Sequence, residues 1–165
     1  MLTVAAVAVF STCVVGSLAC SCWHEAGPDR YCRYPVVVRG VATAEWEERP
    51  EPLDHSDPWS KYFMNSDWVY TVQVEEAIIL PDSLQGNATI ELRSPTQGSL
   101  CGRRFPVDVS IVFFAWLRDG GQVETGLCEP NSPWEDLDDW ERELITEHIP
   151  DYCANKDSNR KPPEP

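Results

Sequence analysis

The number and placement of its cysteines constrain this chain more than any other feature. There are seven, and one of them, Cys13, lies inside the apolar run that opens the sequence. Residues 1–19 carry no Asp, Glu, Lys or Arg, and Ser17 and Ala19 put small residues at −3 and −1 of a cut before Cys20. That is the pattern of a secretory signal peptide. A membrane anchor is the competing reading, but the run is short for a span and lacks a cationic flank. Cleavage after Ala19 removes Cys13 and leaves Cys20, Cys22, Cys32, Cys101, Cys128 and Cys153. An even set in an exported chain predicts three disulfides, with fifteen pairings open from sequence alone. The cut also makes a cysteine the first residue of the mature chain.

Charge narrows the partners. The formal net charge is −14, which repels nucleic acid, heparin-like polyanions and anionic lipid. Solubility is a sufficient role for it. The length of 165 residues suits one domain. No HExxH, nucleophile elbow or phosphate loop is present, so an enzyme is not expected. Cys20, Cys22 and His24 have the look of a metal site, but disulfides are the stronger expectation for exported cysteines. Asn87-Ala88-Thr89 is an N-glycosylation acceptor. His55 and His148 are expected at the surface.

Periodicity gives strands and one helix. Pro35–Ala44 is apolar and β-branched and predicts a strand. Glu45–Asp67 shows no period and is expected to be a long exposed loop, with Trp46 and Trp59 as candidate contacts. In Trp68–Leu80, residues Trp68, Tyr70, Val72 and Val74 share one face of a half-buried strand. Ala88–Ser94 and Val107–Leu117 predict two more strands, and Gln122–Cys128 a short fifth. Ser132, Pro133 and Glu135 have capping-box form. Leu137, Trp140, Leu144 and Ile145 then give a helical stripe that Pro150 is expected to end. Trp68, Trp116, Trp134 and Trp140 are expected in the core. Residues 154–165 are polar and Pro-rich and predict a disordered tail. Five strands and a helix fit a mainly β fold, a five-stranded OB-like Greek-key barrel with a C-terminal helix and three disulfides.

The frame Cys20-x-Cys22-x9-Cys32, with Cys101, Cys128 and Cys153 far downstream, closely resembles the N-terminal netrin-like domain of the tissue inhibitors of metalloproteinases. Ser99–Gly102 resembles that family's strand-connecting loop, Val112–Cys128 its paired strands and Ser132–Leu137 its proline-tryptophan helix start. The resemblance spans Cys20 to Cys153. It implies the pairs Cys20–Cys101, Cys22–Cys128 and Cys32–Cys153. Each would close a loop of more than eighty residues, contributing on the order of 4–5 kcal/mol in the chain-entropy model.

The resemblance also implies a use for the mature terminus. Catalytic zinc sites keep one coordination position for water. The free α-amine and the carbonyl of Cys20 would chelate the zinc of a target protease in a five-membered ring and displace that water. An α-amine with a pKa of about 7.7–8.0 is accessible in its neutral form near neutral pH. Ser21 would enter the protease's primary specificity pocket. Cys22, Trp23, His24, Ser99, Leu100, Gly126 and Leu127 would complete the contact. The implied protein is a secreted, extracellular, monomeric inhibitor of secreted or cell-surface zinc metalloproteases. It has no catalytic residues, no cofactor of its own, no nucleic-acid partner and no membrane anchor.

Three features depart from the family pattern. Trp23 is bulky where a smaller residue is common, Glu25 replaces a His-Pro-like sequence, and only twelve residues follow Cys153, so no second domain is expected. The competing readings are a non-inhibitory netrin-like extracellular binding module and an interaction protein that uses the acidic loop. The first mature residue separates them, because a purely structural cysteine gains nothing from a free amine.

Overall fold

The structure is a computed structural model that describes residues 20, 22, 27–49, 66–97 and 100–159. Its strands are β1 (Val36–Glu48), β2 (Asp67–Ile79), β3 (Thr89–Pro95), β4 (Ser110–Leu117), β5 (Val123–Glu124) and β6 (Ser132–Pro133). They form one sheet in the order β1-β2-β3-β5-β4-β6, and β1 pairs again with β4. The first five therefore close into a ring, with β3–β5 the one parallel pair in it. This is the closed, OB-like barrel expected from strand count.

β1 makes the closure. Its Val37–Glu48 pairs with β2, while Val36–Val41 pairs with β4 on the other edge. Register shifts at three places coil the strand between its two partners. Gly40 sits at one of them. A Cβ there would lie 2.6 Å from the Gln73 carbonyl oxygen, so the close approach of β2 requires glycine.

Strands β1 and β4 read as continuous apolar runs because both of their faces are covered. Val36, Val38, Ile111, Phe113 and Ala115 point into the barrel with Tyr70, Val72 and Leu92. Val37, Val112 and Phe114 point outward against Tyr31, Tyr34, Ile145 and Ile149. The C-terminal helix is the second layer. It comprises α1 (Asp139–Glu143), a π turn (Leu144–His148) and α2 (Ile149–Asn159).

Several boundaries differ from the sequence expectation. β1 runs on to Glu48, so Glu45–Glu48 are strand and not loop. Their charge is tolerated because arginines face them: Arg104 bonds Glu45, and Arg93 pairs with Glu48. Trp46 belongs to this strand, opposite Val69, and is 42% exposed. Trp59 and His55 lie outside the described residues. β4 begins at Ser110 and not Val107, because Asp108 adopts a left-handed turn (φ 59°) with its amide on the Ala42 carbonyl. β5 is only two residues long.

The helix start also moves. Ser132 pairs with Val112 in β6, and Pro133 is extended, so that capping box never forms. A 3-10 turn (Trp134–Asp136) follows, and the box is made instead by Asp138 and Glu141. The Glu141 amide donates to Asp138 Oδ1 at 2.8 Å, and the Asp138 amide to Glu141 Oε2 at 3.1 Å. Trp140 falls in the first turn beyond this cap and is 62% exposed, not core. Pro150 does not end the helix. The Ile149 amide bonds Leu144 O, and this wider turn absorbs the proline. The helix passes Ala154 and ends at Asn159.

Candidate functional site

Three cysteine pairs lie at disulfide distance. Cα separations are 5.3 Å for Cys20–Cys101, 5.1 Å for Cys22–Cys128 and 5.2 Å for Cys32–Cys153. The first two are neighbours, with Cys20 Sγ 3.6 Å from Cys128 Sγ. The sulfurs of Cys20, Cys101 and Cys128 lie within 4.8 Å of one another. All are oxidised, so none is a thiolate metal ligand. The third bridge ties Cys32, just after the 3-10 turn Pro28–Arg30, to α2, where Tyr152 and Lys156 also hold Asp29.

The two loops that receive Cys20 and Cys22 are bonded to each other. The Leu127 amide donates to the Cys101 carbonyl at 2.7 Å. Cys101 adopts the left-handed region (φ 60°), which costs an ordinary residue about 1–2 kcal/mol. The disulfide and the Leu127 bond hold it there. Gly126 makes the approach feasible, since a Cβ on it would lie 2.4 Å from Cys101 O. Gly102 does the same on the other side, where a Cβ would lie 1.8 Å from Pro95 O. Leu100 (40% exposed) and Leu127 (49%) stand out from this junction as exposed apolar side chains.

A buried polar network supports the loop from behind. Asn131 is 5% exposed. Its Oδ1 accepts from the Phe114 amide at 2.7 Å, and its Nδ2 donates to Thr125 Oγ1 at 2.8 Å and Gly126 O at 3.1 Å. Thr125 Oγ1 donates to Phe114 O at 2.8 Å. Each group is satisfied, which fixes the 125–128 turn against β4. Trp116 Nε1 donates to Glu129 Oε1 at 3.0 Å beside it.

Of the residues singled out in the sequence, the fold brings Cys20, Cys22, Leu100, Cys101, Gly126, Leu127 and Cys128 to one place. Ser21, Trp23, His24 and Ser99 lie outside the described residues. Asn87 is exposed in the turn between β2 and β3, apart from this junction in the chain. His148 is exposed at the surface. Sequence reasoning missed Asn131 and Thr125; only the unusual presence of polar residues beside the apolar run of β4 hints at them.

A junction of two loops, stapled to the first two cysteines of a disulfide frame, is the feature that a family comparison can test. Residues 18–158 match the family model described as tissue inhibitor of metalloproteinase. The chain belongs to that family. Membership in the tissue inhibitors of metalloproteinases implies inhibition of metalloproteinases. No curated protein matches the chain. Within this family member Cys20 and Cys22 are tied to the Leu100–Gly102 and Gly126–Cys128 loops, which are hydrogen-bonded to each other. Among the described residues, no helix is long and apolar enough to cross a membrane.

Proposed function

We propose that this chain is a secreted inhibitor of zinc metalloproteases, and that it acts by chelating the protease's catalytic zinc. The signal segment 1–19 is removed, and the amine and carbonyl of Cys20 bind the metal in place of water. Ser21 occupies the primary specificity pocket, while Leu100 and Leu127 pack on the cleft at either side.

One observation carries this reading. Cys20 and Cys22 are each bonded to a different loop, and those loops are bonded to each other through Leu127 and Cys101. A chain terminus is ordinarily the least ordered part of a domain. Here two staples hold it over a rigid base, so little freedom is lost on binding. No peptide bond crosses the zinc in a cleavable geometry, so the complex is not turned over.

The test compares the form that begins at Cys20 with a form carrying one additional alanine before it. The extension turns the amine into an amide and leaves all three disulfides. Both are titrated against a panel of secreted zinc metalloproteases. Inhibition by the first form alone supports the chelate. Equal inhibition by both places the contact elsewhere, and inhibition by neither favours a binding module.

A further inference from the structure

A cavity lies beside Trp116. It has a volume of about 590 Å³ and is walled by Pro35, Ile78, Leu80, Trp116 and Pro150, between the end of the barrel and α2. Its size is that of small-molecule sites, and its lining mixes apolar side chains with polar surface. One wall residue is charged. The Arg33 guanidinium carbon stands 5.3 Å from the Tyr34 ring centroid and 5.5 Å from that of Trp116.

Arg33 is an exception among the described arginines. Arg39, Arg49, Arg93, Arg104, Arg118 and Arg142 each hold a carboxylate. Arg30 and Arg103 donate to the Tyr31 hydroxyl and the Asn131 carbonyl. Among the described residues Arg33 has neither a carboxylate nor a hydrogen-bond acceptor, although acidic residues outnumber basic ones 27 to 13. Its aromatic stacking leaves the five N–H donors of the guanidinium without an acceptor among the described residues. A cavity whose wall combines apolar side chains with a guanidinium that has no carboxylate among the described residues complements a molecule with an apolar body and one anionic head.

We propose that this cavity binds a small amphiphilic carboxylate, with Arg33 on the carboxylate and the aliphatic body against Trp116, Ile78 and Pro150. The net charge of −14 disfavours polyanions and acidic peptides here. A single carboxylate needs only the one guanidinium.

The probe is decanoate, titrated calorimetrically into the folded, disulfide-bonded chain below its micelle concentration, with decylamine as the cationic control. Decanoate is expected to bind saturably at one site and decylamine not to bind. Arg33→Gln is expected to weaken decanoate about tenfold by removing the charge-assisted bonds. Ala154→Phe, at an exposed helix position on the cavity wall, is expected to abolish binding by filling the space. Near-UV circular dichroism confirms that both variants are folded. Absence of saturable decanoate binding, equal binding of decylamine, or undiminished binding by both folded variants would each overturn the proposal.

Discussion

Leu127 donates its amide to the carbonyl of Cys101 at 2.7 Å, across two loops that are separated in sequence and stapled to residues 22 and 20. This bond makes two disulfide anchors into one platform. The positions of Cys20 and Cys22 then depend on both loops together.

Gly126→Ala places a Cβ 2.4 Å from Cys101 O, a backbone atom that cannot swing aside. The loops must separate, at a cost of about 1–3 kcal/mol. Inhibition should weaken about tenfold or more, with a smaller change in thermal midpoint than in inhibition constant. A variant with unchanged inhibition would mean that the junction does not position the contact.

Asn131→Ala removes three hydrogen bonds behind the same turn and leaves the buried Phe114 amide unpaired. Stability should fall by about 2–3 kcal/mol, measured by denaturant unfolding. Inhibition by the fraction that remains folded should also weaken, because the 125–128 turn loses its anchor.

The two kinds of disulfide should separate in their effects. Replacing Cys32 and Cys153 together by alanine removes a staple between the residues just after the 3-10 turn and α2. It should lower stability by about 2–5 kcal/mol while the folded protein still inhibits. Replacing Cys101 with alanine, with Cys20 changed to serine, should abolish inhibition even where the fold survives. Parallel unfolding and inhibition titrations check both.

Glu45 predicts an acid-side response. The Arg104 hydrogen bonds, and then that of the Tyr70 hydroxyl, hold its carboxyl below the usual range in spite of partial burial. A lowered folded-state pKa means the stabilisation is present above the unfolded carboxylate value of about 4.3. It is lost as pH falls through the lower folded value. Glu45→Gln should therefore be less stable than the native chain at neutral pH, and the difference should close on acidification. Asp67 acts in the other sense, because burial raises its pKa. Unfolding midpoints followed from neutral to acidic pH check this, and a constant difference would contradict it.

The barrel was legible because its strands carry strong patterns. Trp68 to Val74 alternate, and Val36–Val38 and Ile111–Ala115 are apolar on both faces. The strand ends were not legible, since Glu45–Glu48 become strand only through arginines distant in sequence. The helix start was misread because two capping boxes follow each other, and tertiary pairing of Ser132 with Val112 cancels the first. At the site, Cys20, Cys22 and the two loops were legible through the cysteine frame, and the pairing came from family resemblance and not from spacing. Asn131 was invisible because its role consists entirely of contacts to backbone groups and Thr125.

The proposed inhibition rests on a metal–ligand bond, and the most direct measurement reads that bond. A target protease carrying cobalt in place of its catalytic zinc is mixed with the Cys20-terminated inhibitor, and its visible absorption is recorded. Ligation by the amine and carbonyl of Cys20 should shift the cobalt bands in proportion to inhibition, while the alanine-extended form should leave them unchanged. Full inhibition by the Cys20-terminated form with an unaltered cobalt spectrum would contradict the account.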